Sequence, residues 1–113
     1  MRYGEPSIHR VLKQLLIKNV RRLLVLPLYP QYSASATGST FDAVTRSLQA
    51  WRWPPELRFI NDYHDSASYI DALQQSIEEH WQKYGRGERL ILSFHGIPER
   101  YVQAGDPYFL QCQ

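Results

Sequence analysis

Segments with helical periodicity alternate along this chain with short, almost wholly apolar runs, and this alternation constrains the fold more than any other feature. Apolar residues recur every three or four positions from Ile8 to Leu16, behind the potential helix cap Ser7. The run Arg22–Leu26 follows, and it is typical of a strand that is buried on both faces. The same order occurs twice more. The predicted helices span residues 7–19, 39–50 and 66–84, and the predicted strands span residues 22–26, 57–60 and 89–94. Ser39 or Thr40 can cap the second helix, Gly85 is placed to close the third, and the segment from Gly105 to Tyr108 can begin another helix.

This order predicts an α/β fold, because consecutive strands that are joined by helices lie parallel in one sheet. We expect a doubly wound parallel sheet with helices on both faces. The chain has 113 residues, which suffice for a single core. Three strands make a small sheet, however, and the first helix has no strand before it. The sequence therefore predicts one incomplete domain over residues 1–113.

Charge, hydropathy and cysteine content exclude several classes of protein. A net charge of +2 is too small to indicate a nucleic-acid-binding surface. The longest apolar run, Leu23–Leu28, is far shorter than the ~20 residues of a transmembrane helix, and no signal peptide opens the chain. Cys112 is the one cysteine, so the chain cannot form an internal disulfide or supply the ligands of a complete iron–sulfur cluster. We expect a cytoplasmic location.

The loops that follow the strands are the first places to look for a site, since ligands bind there in open α/β sheets. The loop over residues 27–39 is dense in tyrosine, serine and threonine. It can hold a flat, partly polar ligand. The same composition also fits a purely structural loop, in which prolines and tyrosines brace the chain and hydroxyl groups cap backbone atoms.

His95 follows the third predicted strand and precedes Gly96, so its imidazole can point into the same crevice. An imidazole with a pKa near ~6.5 can accept a proton or bind a divalent metal. A structural histidine that is bonded to a backbone carbonyl fits this position equally well. A hydrolase built on Ser93, His95 and Asp106 is disfavoured, because no sharp nucleophile turn of the G-x-S-x-G type is present.

Three segments together resemble the ferrochelatase family, the terminal enzymes of haem biosynthesis, in its bacterial type. They read MRYGEPS at residues 1–7, LPLYPQYS with TGS at residues 26–39, and LSFHGIP with GDPY at residues 92–108. The resemblance implies a chelatase-like fold and a lyase that inserts Fe²⁺ into protoporphyrin IX. It also implies that this chain is an internal fragment, from the later part of the first of two similar domains to the start of the crossover to the second.

The resemblance also implies roles for particular residues. His95 matches the catalytic histidine of the family, which takes part in metal binding, in removal of the pyrrole protons, or in both. The residues that match the porphyrin cleft are Arg2, Tyr3, Tyr29, Ser33 and Ser35. Ala34 stands where some relatives carry a cysteine ligand of an iron–sulfur cluster, so no cluster is expected. The family's opposing glutamate matches no residue of this chain.

These expectations leave one rival from another class, a noncatalytic α/β module that binds a ligand or a partner. Binding of a porphyrin would separate the two hypotheses. Under the ferrochelatase hypothesis, we expect the chain alone to be inactive, because half of the cleft and the glutamate would be absent. We also expect it to self-associate through an unpaired sheet edge and uncovered apolar surface.

Overall fold

The computed structural model describes residues 4–113. They form two compact units, of which the first ends at Asp62 and the second begins at Tyr63. No helix within these residues is long and apolar enough to cross a membrane.

The first unit contains a two-stranded parallel sheet with helices, which confirms the predicted α/β class. Its elements are α1 (Ile8–Ile17), β1 (Arg22–Val25), a π-helical turn (Ala34–Gly38), α2 (Ser39–Gln49) and β2 (Glu56–Phe59). Arg22 lies opposite Glu56, and Val25 lies opposite Phe59. The connection between the two strands contains α2, as a parallel pair requires.

The core of this unit lies between the two helices and one face of the sheet. Leu12 of α1 and Val44 and Leu48 of α2 are buried, and Leu23, Val25 and Leu57 pack against them. Leu24 points the other way and is 62% exposed. The prediction that β1 is buried on both faces was therefore wrong. Successive side chains of a strand point to opposite faces, and within this unit α1 and α2 cover only one of them.

The two predicted helix caps have different outcomes. Ser7 caps α1 as predicted, since its hydroxyl accepts the Arg10 N–H at 3.3 Å. The prediction that Ser39 or Thr40 caps α2 was wrong. The π-helical turn runs directly into α2, so the Ser39 N–H already has carbonyl partners in that turn. The hydroxyls of Ser39 and Thr40 instead donate to the carbonyl of Ala36, each at 2.9 Å.

The second unit is helical in the part of the chain that the structure describes. It contains α3 (Ala67–Tyr84), α4 (Glu99–Gln103) and α5 (Tyr108–Gln111). The long third helix is confirmed, and it ends at Gly85 as predicted. Gly85 has a φ of 85°, which favours glycine, and its N–H donates to the Trp81 carbonyl at 2.8 Å.

The third predicted strand was wrong: residues 89–94 form no strand, and their side chains are exposed, Ile91 to 85%. An apolar run becomes a strand only when a neighbour supplies hydrogen bonds, and no strand lies within the described second unit. Helix α4 was not predicted. Its start carries a recognisable signal, because Pro98 and then the acidic Glu99 occupy positions that favour a helix N-terminus.

Candidate functional site

A cavity of about 590 Å³ in the second unit has His95 in its wall. Its volume falls within the ~300 to 1,000 Å³ that is usual for small-molecule sites. The wall is mostly apolar, with Phe94, Val102 and Phe109 among its side chains. The polar atoms that reach it are few. We call this space the His95 cavity, and it is lined further by Gly96, Ile97, Glu99, Tyr108, Cys112 and Gln113.

Three pieces of chain build the cavity. The segment with His95 runs without regular structure to Pro98, whose carbonyl accepts the Tyr101 N–H at 2.8 Å and opens α4. Helix α5 then brings Tyr108 to the same space. The carboxylate Oδ1 of Asp106 accepts the Tyr108 N–H at 3.1 Å, so Asp106 forms the turn that precedes α5.

Tyr108 lines the same cavity as His95 and Cys112. Burial raises the pKa of the Tyr108 phenol, and a side-chain hydrogen bond with Cys112 acts in the same direction. A hydrogen bond with the His95 backbone acts in the opposite direction and lowers this pKa. Burial is the largest of these effects, so the pKa of Tyr108 lies above its usual value.

The predicted loop site lies in the first unit and is organised around two serines. Ser33 is only 2% exposed, and its Oγ lies 2.9 Å from the Oγ of Ser35. Its carbonyl accepts the N–H groups of Ala36 and Gly38, both at 3.1 Å. The structural interpretation of the loop thus applies to Ser33, which holds the π-helical turn. Tyr29 is half exposed.

The remaining predicted residues have simpler positions. Arg2 and Tyr3 lie outside the described residues. His95 belongs to the second unit, whereas Tyr29, Ser33 and Ser35 belong to the first. Inspection of the sequence did not identify Tyr108 or Cys112 as neighbours of His95. The GDPY segment was visible as the start of a helix, but no local pattern links residue 108 to residue 95.

Comparison with known proteins gives a consistent result over the whole chain. The family model described as Ferrochelatase matches residues 1–113. A ferrochelatase of Thioalkalivibrio sulfidiphilus is 58% identical over 112 residues, which are 99% of this chain and 30% of that protein. One of Nitrosococcus oceani is 58% identical over 113 residues, which are 100% of this chain and 31% of that protein.

A third relative, the ferrochelatase of Methylibium petroleiphilum, is 55% identical over 113 residues and is covered to 31%. The chain thus spans about a third of the length of these curated relatives. No solved structure matches it significantly. Because the family model covers every residue, including His95 and the serine loop, this chain belongs to the ferrochelatase family.

Proposed function

We propose that this chain works as part of a longer ferrochelatase that inserts Fe²⁺ into protoporphyrin IX and forms protohaem. The observation that carries the proposal is the position of His95 in the wall of an apolar cavity, in a chain that matches the family throughout. His95 is the proposed catalytic residue and metal ligand. The reaction itself requires a group that accepts protons and a surface that binds the macrocycle.

Insertion of the ion releases two protons, because the two inner N–H groups of the porphyrin must be replaced by bonds to iron. A neutral imidazole can accept such a proton at pH 7, whereas a lysine could do so only after a large fall of its pKa. The apolar wall around His95 suits a flat hydrophobic macrocycle. A wall that favours a bent ring would expose the nitrogen lone pairs and stabilise the transition state relative to the planar substrate.

The cleft residues are proposed in the same way. Tyr29 is half exposed, so its ring can pack against the macrocycle. Ser35, which lies six positions later in the same loop, is also exposed. Arg2, Tyr3 and Ser33 complete the proposed set. The burial of Ser33 favours an indirect role, in which it holds the loop that carries Tyr29 and Ser35. Glu99 lines the same cavity as His95, but the family's opposing glutamate matches no residue of this chain, so we expect that glutamate in another part of the protein.

We further propose that residues 1–113 are one partial domain of that protein, the later part of its first domain, and that it acts in the cytoplasm. The chain alone would then lack much of the cleft, since it spans only about 30% of a relative such as that of Thioalkalivibrio sulfidiphilus. We expect it to insert no metal at a meaningful rate.

The test is an insertion assay with Fe²⁺ and protoporphyrin IX on the full-length protein and on this chain. In the full-length protein, His95→Ala should lower the rate by about 10²- to 10⁴-fold, the usual contribution of a proton-transfer group. The control His9→Ala, at an exposed position of α1, should leave it unchanged. Retention of more than about a tenth of the rate by His95→Ala would refute the catalytic role.

The same assay also tests whether the chain alone is inactive. It further tests the alternative hypothesis that the protein is a noncatalytic α/β binding module. Turnover by residues 1–113 close to that of the full-length protein would contradict the proposed need for a longer protein. Titration with protoporphyrin IX gives the second arm. A full-length protein that neither binds the porphyrin nor turns it over would favour a noncatalytic binding module.

A further inference from the structure

We propose that the first unit carries a separate ligand site, which binds a small alkylammonium ion. The site is a cavity of about 520 Å³ that is lined by the π-helical turn, the first turn of α2 and the end of β2. We call it the Asp42 cavity. Its wall does not include Tyr29, Ser33 or Ser35, the loop residues proposed for the porphyrin cleft.

Three aromatic side chains line the Asp42 cavity. Phe41 and Phe59 meet edge to face, with ring centroids 5.2 Å apart. Tyr32 lies close against the π-helical turn, where a methyl group at Gly38 would stand only 2.9 Å from the tyrosine hydroxyl. The faces of aromatic rings carry partial negative charge and attract cations. This wall therefore favours a positively charged ligand over a negatively charged one.

Asp42 adds a full negative charge to the same cavity. It lies in the first turn of α2 and is exposed. The ion pairs among the described residues join Arg10 to Glu5 and Arg58 to Glu56, so no described side chain forms an ion pair with Asp42. Its carboxylate is thus open to a cation from solution, and the aromatic rings act in the same direction.

Two uncharged polar groups also lie in the cavity wall. The side-chain amide of Asn61 makes no hydrogen bond with a described residue. Thr37 is 0% exposed, and its Oγ1 has no hydrogen-bond partner among the described residues. An amide and a hydroxyl can each donate and accept. They therefore suit a ligand that carries a short polar tail beside its charged nitrogen.

Other classes of ligand fit this cavity less well. An anion would be repelled by Asp42, and the Ser39 N–H at the start of α2 already donates to the carbonyls of Ala34 and Ala36. A divalent metal ion usually takes more oxygen ligands than one carboxylate and one amide supply. A neutral aromatic ring would leave the Asp42 charge unused. An organic cation uses both the rings and the carboxylate.

The test is a calorimetric titration of the full-length protein with choline and with 3,3-dimethylbutan-1-ol. The alcohol has the shape of choline but carries carbon in place of the charged nitrogen. We expect choline to bind at least about tenfold more tightly, because only the cation gains from the carboxylate and the aromatic faces. Neither titration requires metal insertion or porphyrin.

The key variant is Asp42→Asn, which removes the charge and keeps the shape of the side chain. It should weaken choline binding by about tenfold and leave binding of the alcohol unchanged. Phe41→Leu removes one ring and should also weaken choline binding. Asp71→Asn is the matched control, because it removes the same charge from an exposed position near the start of α3. It should change neither affinity.

Three results would overturn this proposal. Equal affinities for choline and the alcohol would assign the cavity to neutral ligands. Equal losses of choline binding in Asp42→Asn and Asp71→Asn would reveal an effect of net charge and no specific site. Absence of choline binding in the full-length protein would show that the cavity is not a cation site there. The proposed insertion of Fe²⁺ is tested separately, through His95→Ala, and stands or falls independently.

Discussion

Hydroxyl side chains of the loop in the first unit have two kinds of environment. Those of Ser39 and Thr40 donate to backbone carbonyls of the π-helical turn. Thr37 is different. It is 0% exposed, and its Oγ1 has no hydrogen-bond partner among the described residues. A buried hydroxyl without a partner destabilises the folded state by the solvation that it has lost.

We therefore expect Thr37→Val to stabilise the first unit, by about 1 kcal/mol, because valine has nearly the same shape and buries no polar atom. Thr40→Val is the matched control, and it should be neutral or destabilising, since it removes the bond to the Ala36 carbonyl. Urea unfolding of both variants measures the difference. A loss of stability in Thr37→Val would mean that this hydroxyl has a partner in solution.

Single residues also mark the limit of what the sequence could predict about the site. His95 was selected because it follows an apolar run, and in the structure it lines a cavity although that run forms no strand. That Tyr108 lines the same cavity could not be predicted, because the two residues are thirteen positions apart in the sequence and no local pattern links them. Ser33 was identified from composition, but its burial within the turn depends on backbone geometry.

At the scale of elements, the three longer helices were predicted well, whereas α4 was missed and one of the three predicted strands did not form. Helices α1, α2 and α3 carry their hydrogen bonds within themselves, so a local apolar period suffices to identify them. Strands β1 and β2 formed where expected because each is the neighbour of the other. The segment at residues 89–94 has an equally apolar sequence and forms no strand, since its pairing depends on a neighbour that no local pattern provides.

The contact between α1 and α2 supports a second prediction. Leu12 is 5% exposed and forms the buried core cluster together with Val44 and Leu48. Leu12→Ala should cost about 2 to 5 kcal/mol, the usual range for such a truncation. With so small a core, this cost should abolish cooperative unfolding of the first unit.

Leu16→Ala is the control on the same helix, because Leu16 is 45% exposed and lies outside the buried cluster. It should change the free energy of unfolding by less than about 1 kcal/mol. Amide hydrogen exchange in α1 and circular dichroism in urea measure both variants. Equal effects of the two substitutions would show that the helix does not pack as described.

For the molecule as a whole, the exposed apolar surface is large for a chain of this size. The second face of the sheet exposes Leu24, and the segment after α3 exposes Leu90, Ile91 and Leu92. Helix α3 has no buried residue, and Ile70 and Leu73 of its apolar stripe are exposed. In relatives about three times as long, such surface can be covered by further chain.

We therefore expect the chain alone to self-associate, with a second copy covering part of this surface. Both strands of the described sheet also have one unpaired edge, which favours pairing between copies. Light scattering or sedimentation should detect dimers or larger species whose population grows with protein concentration.

Because apolar burial drives the association, sulfate should strengthen it. Leu24→Glu and Ile91→Glu should weaken it, whereas Gln82→Glu, which adds the same charge at an exposed polar position of α3, should not. A chain that stays monomeric at high concentration and unfolds cooperatively would contradict the expectation. Its exposed leucines and isoleucines would then be stable in contact with water, without burial against a second copy.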